Sequence, residues 1–173
     1  MVGPNPFVKS DTTKPVMMTH GGKTTAVTML LDTGAASSMI STRKAKELGI
    51  QVDADGKLTN VPAKQQFTLP IGGIGGTKNV NGFFVDAVVM PVVKGEPIRY
   101  LKAPVLVLDI SVEDEKTGEQ FTLDGILGMN YLVASASVSM GLTGGGIDEM
   151  NDGAFEQIVV DHAKKTLGLK LKK

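Results

Sequence analysis

The chain contains no cysteine, which removes disulfide frameworks, thiolate nucleophiles and Cys-based zinc or iron–sulfur sites but leaves the redox compartment open. Histidine is nearly missing as well: His20 and His162 are the only two. A multi-histidine metal centre is therefore disfavoured, as is a serine or threonine triad, which needs a positioned base. Neither charge sign is in excess, with 18 basic residues against 18 acidic ones, so no global field draws the chain to nucleic acid or an anionic membrane. No apolar run approaches the length of a membrane span, and residues 1–9 lack the basic start and apolar centre of a signal peptide. The chain as given reads as soluble, with its compartment undetermined.

What is present suffices for one core. With 173 residues, 42% of them hydrophobic, the expectation is a single domain over 1–173. Its core spans about 15–170, and 1–14 form an N-terminal extension or an interface strand. The patterning is mainly that of β-structure. Residues 15–31 read as a hairpin turning at His20-Gly21-Gly22-Lys23 and ending at Asp32. Residues 42–49 combine helix formers with Thr42 at the front and Gly49 as a stop, which predicts one short helix. Further strands are expected at 66–69, 80–91, 105–112 and 120–123, with the charged stretch 111–119 as a solvated hairpin tip. There is no repeat and no low-complexity tract.

Three segments carry the chemistry. The first is Met29-Leu30-Leu31-Asp32-Thr33-Gly34-Ala35-Ala36-Ser37-Ser38-Met39-Ile40, an apolar strand that delivers an aspartate into a glycine turn and then turns apolar again. Gly34 allows a backbone turn that a side chain would resist, and Ala35 is small. Taken alone, Asp32 is either a strand-end cap bonding its own backbone or a catalytic carboxylate. The second is Leu69-Pro70-Ile71-Gly72-Gly73-Ile74-Gly75-Gly76-Thr77, whose glycines suit a bendable lid that brings its own backbone close to a ligand. A plain flexible loop is the other reading, whereas a phosphate loop is disfavoured because no Lys-Ser/Thr pair and no helix start follow. The third is Ile126-Leu127-Gly128-Met129-Asn130, a buried strand turning at Gly128 into a short helix.

In this order the three segments resemble the active-site loop, flap and supporting apolar-Gly element of the aspartic proteases. Because Asp-Thr-Gly occurs once, the resemblance is to the retropepsin-like, single-domain bacterial type. It covers 24–132, and more loosely 155–169 as a closing hairpin with His162 in its turn. It implies an all-β, mainly antiparallel fold closed like a barrel, with one or two short helices. It further implies an aspartic endopeptidase acting on extended polypeptide as a homodimer, with no cofactor or metal. Asp32 would be the catalytic residue, and Thr33, Gly34 and Ala35 would support its loop. Ile71, Gly72, Gly73, Ile74, Gly75 and Gly76 would form the flap against substrate, and Asp124 would be a structural turn residue.

The chain departs from the compact viral pattern in three places. Its flap glycines lie farther after Asp32, the region 90–116 is long, and 141–150 inserts a glycine-rich loop. The end 167–173 alternates apolar and basic residues, as an edge strand open to a partner subunit would. The alternative function is a catalytically silent dimerisation or peptide-binding module of the same fold.

Overall fold

The computed structural model describes residues 15–73, 76–91, 97–114, 116–132, 155–161, 163 and 166–171. The segment 1–14, Ile74 and Gly75 of the expected flap, the glycine-rich loop 141–150 and His162 lie outside them.

Strand β1 (Val16–His20) turns through Gly21 and Gly22, at φ 55° and 78°, into β2 (Lys23–Val27). Two successive left-handed residues are what a tight hairpin of this hand requires, and glycine adopts them without Cβ strain. His20 is the last residue of β1 rather than part of the turn, and its ring meets Phe83 edge-on at 5.1 Å. The hairpin is also shorter than the 15–31 expected. At Thr28 the backbone N–H donates to Asp124 Oδ2 (3.3 Å), and the residues leading to Asp32 form a separate strand, β3 (Met29–Leu31).

After β4 (Met39–Ile40) comes α1 (Thr42–Glu47), one residue later than its cap: Ser41, not Thr42, accepts from Lys44 N–H. Gly49, at φ 86°, follows the helix. The long hairpin of β5 (Gln66–Gly73) and β6 (Gly76–Met90) follows, then β7 (Ile98–Val107). Strand β7 corrects the expectation of 105–112. It begins earlier and stops at Val107, because Asp109 turns away to accept the Thr42 N–H (2.7 Å). Among the described residues, small strands β8 (Ser111–Glu113) and β9 (Gln120–Thr122) pair only with each other and carry the charged tip. Strand β10 (Gly125–Leu127) and the hairpin of β11 (Phe155–Asp161) and β12 (Thr166–Leu171) complete the set.

Eight strands make one sheet in the order β2-β1-β6-β7-β4-β10-β3, with β5 added to β6. This is the all-β acid-protease fold class, nearly closed and mainly antiparallel; the parallel pairs are β3 with β10 and β4 with β7. The main core takes Val16, Met18, Val27 and Met29 from the first strands, together with Phe83, Val85, Val88 and Met90 from β6. That run switches inward-facing parity at Asp86, and opposite it Lys102 adopts φ 49° and pairs with the Asp86 carboxylate (2.5 Å). The closing hairpin is not left on the surface: Phe155, Leu167 and Leu169 are buried in the same core. No helix among the described residues is long and apolar enough to cross a membrane.

A polar cluster fixes α1 to the strands before and after the Asp32 loop. Asp124 pairs with Arg43 and, at 3.8 Å, with Lys44, while Glu47 accepts from the Thr25 hydroxyl and from Lys44 (2.9 Å). The Thr25 hydrogen bond, then that of Lys44, holds the Glu47 carboxyl below its ordinary range. A carboxylate lowered in the folded state stabilises above its unfolded pKa, and that contribution is lost as pH falls through the folded value. Glu47→Gln is therefore expected to lower the melting temperature at pH 7. The gap to the wild type should close below about pH 4, as read from thermal melts across pH 3–7.

Candidate active site

Strand β3 alternates as a strand with one covered face should: Met29 is buried and Leu30 is 51% exposed. It runs parallel to β10 with Leu31 opposite Leu127, and the ladder continues one rung further, where Asp32 N–H donates to the Leu127 carbonyl (3.1 Å). Asp32 is thus held at its backbone by the end of β10. The chain then turns tightly. Gly34 N–H donates to Asp32 Oδ1 (2.8 Å) and Ala35 N–H to the Asp32 carbonyl (3.2 Å). A Cβ on Gly34 would lie 3.2 Å from Asp32 Oδ1, so glycine leaves that bond uncrowded. The other carboxylate oxygen, Oδ2, has no partner among the described residues. Asp32 is half-buried, and Thr33 and Gly34 are exposed beside it.

Beneath this turn lies a buried knot of hydrogen bonds. Met129 and Asn130 donate their N–H groups to the carbonyls of Ala35 (2.8 Å) and Ala36 (3.1 Å). Ser38 donates its N–H (2.8 Å) and its hydroxyl (2.7 Å) to Asn130 Oδ1, and Ser38 Oγ accepts from Gly128 N–H (3.0 Å). The Ser38 N–H can only donate, so the Asn130 atom facing it is the oxygen. Ser38 is fully buried and Asn130 is 4% exposed. Gly128 is required by contact: a Cβ there would sit 2.5 Å from the Ser37 carbonyl carbon and oxygen. The turn Met129–Tyr131 is anchored in its own right. Tyr131 donates its hydroxyl to the Pro104 carbonyl (2.8 Å), Tyr100 donates to the Tyr131 carbonyl (2.5 Å), and the two rings stack at 5.1 Å. Burial pushes both phenols up, so they remain protonated donors.

The glycine-rich segment forms the outer part of the β5–β6 hairpin, whose pairing runs out to Gly73 opposite Gly76. Ile71 is half-buried, Gly72 and Gly76 are exposed, and Gly76 takes φ 103°. A second apolar cluster joins this hairpin to the Asp32 loop. Met39, Phe67, Val80, Leu106 and Ile126 form it, and Ala35, Leu69 and Ile71 pack against it. Ala35 and Ile71 therefore border one apolar wall. Ser38 and the side chain of Asn130 are the members that sequence reading left without a role. The Gly-x-Asn spacing was their one signal, but their pairing spans 92 residues.

Asn130→Ala removes the acceptor of two buried donors and is expected to cost about 2–4 kcal/mol in urea unfolding. Asn130→Asp keeps both acceptor bonds and should cost less. Gly128→Ala should cost about 1–3 kcal/mol by forcing the Ser37 backbone aside.

A family model described as aspartyl protease matches residues 16–131, the stretch from β1 through the turn that carries Asn130. No curated protein sequence matches the chain. Among solved structures, the chain is similar to a retropepsin-like aspartic protease from Rickettsia conorii at 15% identity and a TM-score of 0.42. That alignment covers 89% of this chain and 87% of that one. With more than half of its length matched by the family model, and with the Asp-Thr-Gly turn seated on the end of β10, the chain belongs to the aspartyl protease family.

Proposed function

We propose that the chain is an aspartic endopeptidase whose active site forms between two copies, each contributing one Asp32. The observation that carries this reading is the Asp32 carboxylate itself. One oxygen is fixed by Gly34 N–H, and the other has no partner among the described residues and lies on a half-exposed loop. The chain has one Asp-Thr-Gly, so a second carboxylate must come from a second chain, and twofold symmetry presents the same residue.

Two carboxylates about 3 Å apart cannot both ionise, so the pair shares one proton and titrates as a unit. The ionised member takes a proton from a water held between them, and the water oxygen attacks the scissile carbonyl carbon. The protonated member gives its proton to the carbonyl oxygen. The resulting diol collapses as the amide nitrogen is protonated and the C–N bond breaks, returning one shared proton to the pair. Thr33 and Gly34, exposed beside Asp32, face the partner loop and the substrate backbone. Extended polypeptide lies under the β5–β6 hairpin, which serves as the lid. Ala35, Leu69, Ile71 and Ile126 offer an apolar wall to alternate side chains.

Asp32→Asn is expected to reduce cleavage of an unstructured polypeptide by about 10²–10⁴-fold without changing the melting curve. Wild-type activity should follow a bell-shaped pH profile, and specific activity should fall on dilution below the dimer dissociation constant. Undiminished cleavage by the Asp32→Asn protein overturns the reading. A wild-type protein that binds peptides and cleaves none points to the silent module instead.

A further inference from the structure

The hairpin read above as the lid is held unevenly along its length. From Gly82 onward β6 is paired with β7, beginning at Gly82 opposite Leu106. From Gly76 to Asn81 its one strand partner among the described residues is β5, and no described strand lies beside the other edge of the arm. A groove of about 640 Å³ opens along that edge. It is lined by Lys78 and Asn81 of the arm, Asp53 and Gly56 of an earlier turn, and Val107 and Asp109 beyond β7.

Gly82 is the point where the arm leaves the sheet. A Cβ there would lie 2.6 Å from the Val105 carbonyl oxygen and 2.5 Å from the Phe67 ring, so the backbone is pressed against β7 and β5 at once. Beyond this pivot, apart from the apolar packing of Val80, Leu69 and Ile71, one side chain hydrogen-bonds the arm to the turn at 53–57. Asn81 Oδ1 accepts from the Thr68 hydroxyl on β5 (2.8 Å), and Asn81 Nδ2 donates to the Gly56 carbonyl (2.8 Å). Among the described residues, no other hydrogen bond links 76–81 to the turn at 53–57.

That turn is a firm anchor. Asp53 Oδ1 accepts from the N–H groups of Asp55 (3.0 Å) and Lys57 (2.8 Å), and Gly56 N–H donates to the Asp53 carbonyl (3.1 Å). Gly56 sits at φ 77°, which glycine adopts freely and which aims its carbonyl at the arm. The side chain of Asn81 therefore connects both strands of the arm, one residue from the pivot, to a rigid turn. So near the pivot, a small displacement at Asn81 becomes a larger one at the glycine tip.

We propose that Asn81 is the latch of the lid, a positioning residue that sets how far the arm swings and so governs substrate capture rather than the chemical step. This rests on the reading of β5–β6 as a lid over Asp32. Asn81→Asp keeps the acceptor for Thr68 but loses the donor and sets a carboxylate against the Gly56 carbonyl. Asn81→Ser is too short to bridge both partners. Hydrogen exchange on the full-length protein is expected to quicken about tenfold in both variants at the amides of Thr68, Leu69, Ile71, Gly72 and 77–80, with β3, β4 and β10 unchanged. KM for an unstructured polypeptide should rise by a similar factor with kcat within about twofold. Unchanged exchange in the arm overturns the latch, and so does an increase spread evenly over the sheet. The exchange measurement needs no catalysis, so a protein that cleaves nothing refutes the protease reading while the latch is still decided by exchange alone.

Discussion

A single buried oxygen, Asn130 Oδ1, accepts both the N–H and the hydroxyl of Ser38, and the shape of the Asp32 loop depends on it. The reason is topological. Strand β10 lies between β3 and β4, parallel to the first and antiparallel to the second. The chain therefore enters the loop along one side of β10 and leaves along the other, and residues 32–38 must cross over the end of β10. A crossing of this kind strips backbone groups of their sheet partners at the edge of a packed core, where each unpaired donor is costly. The segment just past β10 supplies what is missing: Leu127, Gly128, Met129 and Asn130 each bond to the loop. One short segment thus serves as both the end of a strand and the floor of the candidate site.

The same crossing dictates where side chains are forbidden. Gly125 begins β10 with its Cα against the Met39 carbonyl, where a Cβ would approach to 2.6 Å, and Gly128 ends the segment against Ser37. Between them, Ile126 and Leu127 face opposite ways. Ile126 joins the cluster shared with Ala35 and Ile71, and Leu127 enters the main core. The alternation that makes a strand therefore also divides the apolar wall beside Asp32 from the interior that stabilises it.

This division explains what could be read from the sequence. Asp32-Thr33-Gly34, the glycine-rich hairpin and Ile126-Leu127-Gly128 each bear a local constraint: a turn, a bendable tip, a close approach. Local constraints leave local signatures: the turn, the hairpin and the strand end are present, although the hairpin strands, expected at 66–69 and 80–91, run over Gln66–Gly73 and Gly76–Met90. The strand at 105–112 was misplaced because its apolar run continues past the real break at Val107, whose cause is an aspartate reaching helix α1. The true start of β7 was hidden by Pro104, a residue that argues against a central strand. Its position resolves the conflict. The Pro104 carbonyl accepts from Tyr131, away from β6, and a residue's N–H and C=O point the same way in a strand. The missing N–H therefore faces an edge that β4 does not reach until Leu106. The roles of Ser38, Asn81 and Asn130 were illegible for a related reason: their partners are distant in sequence or are backbone atoms, which leave no residue-type pattern.

The two parts of the candidate site differ in how they are held, and the difference suits the tasks proposed for them. Acid–base chemistry by a carboxylate pair tolerates little positional error, since its proton transfers run over hydrogen-bond distances. The Asp32 loop accordingly has its backbone bonded at Asp32, Gly34, Ala35, Ala36 and Ser38, with no glycine-rich stretch of its own. Admitting a polypeptide requires the opposite, a wall that leaves and returns, and the outer β5–β6 hairpin has one strand partner per strand and glycines at its end. Packing joins the two at the wall shared by Ala35 and Ile71. Apolar contact is non-directional, so the proposed movement of the arm could break and remake it without stranding a polar group, which a hydrogen bond at the same place would do. The directional bonds are instead concentrated beneath Asp32 and at the root of the arm.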